Sequence, residues 1–112
     1  MKSTQVVAAL GALAQETRLS IFRELVKRGP SGYTPGDLTE KLSIPAPTLS
    51  FHLKELLRTD LVSARREGRF LHYSANFDVM QELIGFLTEK CCSLANADCG
   101  AACAPAARRR TA

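Results

Sequence analysis

The chain has 112 residues, 46% of them hydrophobic, and its 15 Lys and Arg against 11 Asp and Glu leave a net charge of +4. That is one small globular domain with a mild preference for polyanionic partners, and a core thin enough to favour further burial between two copies. No run approaches the roughly 20 apolar residues that cross a bilayer, so a spanning helix and a membrane partner are excluded at this level.

Val6, Leu10 and Leu13 fall at i, i+4 and i+7, one stripe of a first helix that starts at a Ser3 or Thr4 cap. Lys2 with Val6 to Ala14 imitates a secretion signal, but it is shorter than the usual 15 to 30 or so residues and the helix accounts for more of the pattern. Gln15-Glu16-Thr17-Arg18 opens a second helix with Leu19, Phe22 and Val26 on one face and Ile21 and Leu25 beside it, ended by Gly29-Pro30. Thr34-Pro35-Gly36-Asp37 announces a third: a threonine cap, a proline suited to the first helical position and a carboxylate in the first turn. Leu38 and Leu42 are its apolar face.

Ser43 to Pro47 is a turn, with Pro47 suited to open a fourth helix that runs to about Thr59. At about 100° per residue, Leu49, Leu53, Leu56 and Leu57 gather on the core side while Pro47, Phe51, Lys54 and Arg58 project the opposite way, flanked by Thr48, Ser50 and Glu55. The period then falls to about two from Leu61 to Ser74 around the charged centre Arg65-Arg66-Glu67-Gly68-Arg69, which reads as a β-hairpin whose outgoing arm carries Phe70, Leu71 and Tyr73. Asn76 caps a last helix with the stripe Met80, Leu83, Ile84, Leu87 and Cys91. Residues 1–92 form the folded domain. Residues 93–112, rich in Ala and Arg, read as a flexible tail that orders in part on ion binding, and Arg108, Arg109 and Arg110 as its solvated end.

Two short helices joined by a tight turn and followed by a basic hairpin make a winged helix-turn-helix. The fold is mainly α with a β-hairpin wing (α+β), in the order ααααββα, and its second short helix enters the major groove of double-stranded operator DNA. Pro47, Thr48, Ser50, Phe51 and Lys54 are the candidate contacts on that helix. Phe51 either faces outward, where it reaches thymine methyl groups, or packs under the turn; His52, nearer the core edge, is a structural residue. Arg65, Arg66 and Arg69 at the hairpin tip are candidates for phosphate contact. One such helix covers few base pairs, so specificity calls for a homodimer with reading helices about 34 Å apart, paired through the first and last helices.

The runs Leu13-Ala14-Gln15-Glu16-Thr17-Arg18-Leu19, Ile44 to Leu56 and Arg65-Arg66-Glu67-Gly68-Arg69 together resemble the ArsR/SmtB family of winged-helix metal-sensing repressors. The resemblance covers roughly residues 5 to 92. It implies an apo dimer bound to its operator that lets go when an ion binds, derepressing detoxification or efflux genes. Polar residues stand at the family's reading positions in Thr48 and Ser50, whereas Phe51 replaces a frequent His. The paired cysteines that the best-known arsenic sensors of the family carry before the reading helix are missing from Pro35 to Leu42, and Asp78, Glu82 and Glu89 lack the histidine companions of the zinc sensors. Cys91-Cys92 with Cys99 looks like the arsenic-responsive members with a C-terminal thiol site.

All four cysteines, Cys91, Cys92, Cys99 and Cys103, fall within thirteen residues, where disulfides would staple only the tail. A reducing cytoplasm and ligating thiols are the expectation. Soft thiolates select soft ions, and three-coordinate As(III) or Sb(III) is satisfied by Cys91, Cys92 and Cys99, with Cys103 as a further candidate. A zinc or cadmium site, a redox switch, a merely buried Cys91 and a winged-helix module without metal sensing stay open as alternatives. No thiol has a base beside it in sequence, so neither an enzyme nor an organic cofactor is expected.

Overall fold

The computed structural model describes residues 1–95. Its elements are α1 (Ser3–Leu13), α2 (Glu16–Arg28), α3 (Pro35–Leu42), α4 (Ala46–Arg58), β1 (Val62–Glu67), β2 (Phe70–Ala75) and α5 (Phe77–Thr88), the expected winged helix-turn-helix order. None of these helices is long and apolar enough to cross a membrane.

Side-chain caps start three of the helices. Gln15 Oε1 accepts from the Arg18 amide at 2.8 Å, Thr34 Oγ1 from that of Asp37 at 3.2 Å, and Asn76 Oδ1 from that of Val79 at 3.3 Å. Two starts lie one residue earlier than the sequence suggests. The cap of α1 is Lys2, not Ser3 or Thr4, because Gln5 Oε1 reaches back to accept the Lys2 amide at 2.7 Å. In α4 the first helical residue is Ala46, and Pro47 takes the second position, where its missing N–H is still one that has no partner within the helix.

The core is built from Ile21, Leu25, Leu38, Leu49, Leu56 and Leu61, all essentially inaccessible, with Phe22, Leu53, Val62, Ala75 and Leu83 around them. From α1 it takes Val6, Ala9 and Ala12, with Leu13 packed against it, so that of the expected stripe of Val6, Leu10 and Leu13 only Leu10 is left out. Alanines let α1 approach closely, and that choice turns Val7 (68% exposed) and Leu10 (40% exposed) toward solvent. Leu19 of α2 is likewise left exposed, while Leu25 takes its expected place inside.

The hairpin is antiparallel, with Val62 opposite Ala75 and Glu67 opposite Phe70, so its loop is the two residues Gly68 and Arg69. Gly68 supplies the positive φ (+61°) that a tight two-residue loop needs at its first position. Arg65 is not at this tip. It lies within β1, and its guanidinium crosses to the loop before α3, donating from Nη1 to the Pro30 carbonyl at 2.9 Å and from Nη2 to the Ser31 carbonyl at 3.1 Å. The same loop bonds to β2 through a reciprocal pair at 2.8 Å: the Tyr33 amide donates to the Tyr73 carbonyl, and the Tyr73 amide to the Tyr33 carbonyl. Wing and helix-turn-helix are thereby one rigid unit.

α5 is shorter than its apolar stripe. Thr88 Oγ1 donates to the Ile84 and Gly85 carbonyls (2.9 and 3.4 Å), competing for the last helical acceptors, and Glu89 leaves the helix with ψ 130°. Cys91 therefore does not continue the stripe. It stands in a run of turns in which Lys90 (φ +56°) and Cys92 (φ +60°) are both left-handed. Of the stripe itself Leu83 is buried, Met80 half-buried, and Ile84 and Leu87 are exposed.

Gly32 is held at φ +73°, and a Cβ there would meet the Tyr73 carbonyl oxygen at 2.5 Å. Gly32→Ala is expected to destabilise the fold by about 2 kcal/mol or more, read as a lower urea midpoint with an unchanged slope.

Candidate nucleic-acid interface and thiol pair

Because Leu49, His52, Leu53 and Leu56 are buried, the opposite side of α4 is set by geometry, and Pro47, Thr48, Ser50, Phe51 and Lys54 are all exposed on it. Phe51 is 58% exposed, which decides between its two readings: it points outward and does not pack under the turn. Lys54 makes no ion pair among the described residues, whereas Arg58 is engaged by Glu55 through Nε and Nη2 at 3.2 and 3.0 Å. A polar side chain (Ser50), a cation (Lys54) and an apolar ring (Phe51) thus share a surface able to meet base edges and phosphates.

On the wing, Arg66 and Arg69 are exposed and make no ion pair or hydrogen bond among the described residues. Arg65 is committed elsewhere: besides its two loop carbonyls it donates from Nε to Glu67 Oε1 at 2.9 Å. This bond, with the charge of Arg65 and then that of His72, holds the Glu67 carboxyl below its ordinary range. Of the expected contact cations, Arg66, Arg69 and, from α4, Lys54 are therefore the ones left open to a polyanion.

His52 is buried as its position at the core edge suggests, but its partner has no counterpart in the sequence reading. Arg18 Nε donates to the Ala12 carbonyl at 2.7 Å and its Nη1 to His52 Nδ1 at 3.4 Å, joining α1, α2 and α4 at one point. The guanidinium has no acceptor, so this contact needs a neutral imidazole with its proton on Nε2. Burial first, and the Arg18 charge second, lower the His52 pKa below the ordinary 6.5. Nothing in the separation of residues 18 and 52 signals the pair. The Phe51 ring meets the His52 ring edge-on, centroids 5.5 Å apart and planes at 68°.

Beyond α5, the Sγ atoms of Cys91 and Cys92 lie 3.6 Å apart on exposed turns. That separation is a hydrogen-bonded sulfur–sulfur contact, and it lies near the spacing of about 3.8 Å between two sulfurs held about 2.3 Å from one tetrahedral ion. The hydrogen bond between them, then desolvation and the charge of Cys91, raise the Cys92 pKa above the ordinary 9.0, so an ion that binds here displaces protons. No cluster of three or more His, Cys, Asp or Glu able to hold a metal occurs among the described residues. Cys99 and Cys103, the other two expected ligands, lie outside them.

Residues 13–64 match the family described as a helix-turn-helix domain. The transcriptional repressor SdpR of Bacillus subtilis (strain 168) is 36% identical over 76 residues, which cover 68% of this chain and 81% of that protein. The arsenical resistance operon repressor of the same organism is 36% identical over 83 residues, 74% of each chain. Among solved structures, an ArsR-like transcriptional regulator from Rhodococcus sp. RHA1 superposes with a TM-score of 0.68 at 25% identity, over 75% of this chain and 76% of that one.

The buried His52 gives a pH signature. Its folded pKa lies below 6.5, so the unfolded chain takes up the proton first; the stability it contributes is complete above about pH 6.5 and is lost as the pH falls below that value. Urea midpoints measured from about pH 7.5 down to about pH 5.5 should fall more steeply for the wild type than for His52→Gln, which has no such proton to take up.

Proposed function

This chain belongs to the ArsR family of winged helix-turn-helix transcription regulators, DNA-binding proteins and not enzymes, and on that premise we propose that it is a homodimeric repressor that releases its operator on capturing trivalent arsenic or antimony. The observation that carries the ion is the pair of sulfurs, 3.6 Å apart and exposed just beyond α5. Thiolates favour soft ions, and As(III) or Sb(III) is saturated by three of them, which Cys91, Cys92 and Cys99 supply, with Cys103 as a further candidate. Thiol ligands that must lose protons, in a chain expected to work in the reducing cytoplasm, suit an inducer that is captured only when present.

The DNA side of the proposal uses α4 and the wing. Thr48, Ser50 and Phe51 reach base edges, with Pro47 at the entrance of the helix and Lys54 on phosphate. Arg66 and Arg69 contact the backbone from the hairpin, and Arg65 aims the wing through its bonds to the Pro30 and Ser31 carbonyls. The unpartnered apolar faces of α1 (Val7, Leu10) and α5 (Ile84, Leu87) pair across a two-fold axis, which sets the two reading helices about one DNA turn apart.

The ion site and the dimer face share α5. Drawing the segment after Thr88 around an ion alters packing at the end of that helix, and with it the spacing of the two copies of α4. Moving the operator from almost fully bound to almost fully free takes about 5.5 kcal/mol of differential affinity, well inside the free energy that metal–thiolate binding supplies.

Two measurements test this. With fluorescently labelled operator, arsenite or antimonite should dissociate the wild-type complex, while Cys91→Ser and Cys92→Ser still bind DNA but resist dissociation; release by zinc or cadmium alone would reassign the ion. Separately, Arg66→Ala with Arg69→Ala should weaken binding to all sequences alike. At about 0.9 per phosphate, loss of both contacts from each subunit should flatten the plot of log affinity against log salt by about 3 to 4.

A further inference from the structure

An aromatic side chain standing free on a DNA-facing helix serves neither solubility nor the core. Phe51, 58% exposed between Pro47 and Lys54, is in that position. Its apolar complement in the major groove is the 5-methyl group of thymine, which uracil lacks and no other DNA base carries unmodified. A ring is a good reader of a methyl group only if its orientation is set beforehand, since an exposed side chain otherwise loses its rotamer freedom on binding. Here a neighbouring ring constrains the orientation. The Phe51 ring rests edge-on against His52, His52 is buried and takes a hydrogen bond from Arg18, and Arg18 in turn donates to the carbonyl of Ala12, a buried residue next to the end of α1.

We propose that Phe51 is a specificity-determining residue that reads a thymine 5-methyl group in each half-site, and that His52 is the positioning residue that fixes its ring, anchored through Arg18 to α1. The proposal rests on the DNA-binding reading above and deepens it. The contact chain from Ala12 to Phe51 also ties the reading ring to the helix whose outer side carries Val7 and Leu10, so a displacement of α1 is felt at the base edge without rotating α4.

The test uses the full chain and a duplex selected by it from a random-sequence pool, rescanned with each thymine replaced by uracil so that only a methyl group is removed. For the wild type, one position per half-site should cost about fourfold in affinity, the worth of one buried methyl-sized contact. Phe51→Ala, a change at an exposed position, should bind the thymine and uracil forms of that position equally. His52→Gln keeps an acceptor for Arg18 but offers no aromatic ring, and its thymine-to-uracil ratio should fall toward one; a purely structural His52 would weaken both duplexes alike and leave the ratio unchanged. An unaltered ratio in folded His52→Gln removes His52 from the role. A duplex with no methyl-sensitive position, or full discrimination by Phe51→Ala, overturns the proposal while the DNA reading stands. Failure to retain any duplex from the pool overturns both.

Discussion

Burial of one side of α4 is the constraint on which the rest depends. Leu49, Leu53 and Leu56 each remove a large side chain from water, worth about 1.5–3 kcal/mol apiece, and they leave the helix no freedom to rotate about its axis. What faces outward is then fixed by what faces inward. His52 belongs to the same buried side, yet it is polar, and the fold accommodates it by bringing Arg18 to its ring and by keeping that ring neutral. One guanidinium thus satisfies a buried nitrogen and a helix-terminal carbonyl together, at the point where three helices meet.

The wing is held by similar economy. The two hydrogen bonds between Tyr33 and Tyr73, with Arg65 reaching the Pro30 and Ser31 carbonyls, join the loop before α3 to the hairpin on one side, and the short link from α4 into β1 joins it on the other. For the hairpin to swing relative to α4, these bonds would have to break. Arg66 and Arg69 keep a defined offset from Ser50 and Lys54, as simultaneous contact with groove and backbone requires.

Much of this was legible in the sequence because the signals are local. Thr34-Pro35-Asp37 specifies the start of α3 by its own side chains, and the leucine phase of α4 sorts its buried and exposed faces, although the side taken by Phe51 is decided only by its exposure in the fold. Other features depend on partners that leave no local mark. Arg65 bonds to backbone carbonyls, and any residue type supplies those. In α1 both the leucine and the alanine stripe are self-consistent, and only the close approach of neighbouring helices selects the alanines. The end of α5 turned on the Thr88 hydroxyl competing for carbonyls, which the apolar period of Met80 to Leu87 conceals. Of the thiol site, the adjacency of Cys91 and Cys92 was evident, but the approach of their sulfurs depends on left-handed turns that the residue types do not announce.

Cys91 and Cys92 stand past the last helix, on turns that contribute nothing to the core. Evolution can therefore rewrite the chemistry of this corner, exchanging, adding or deleting donor atoms, without renegotiating a single interior contact. A scaffold organised in this way can keep its α4 surface and wing unchanged while the residues at its periphery vary.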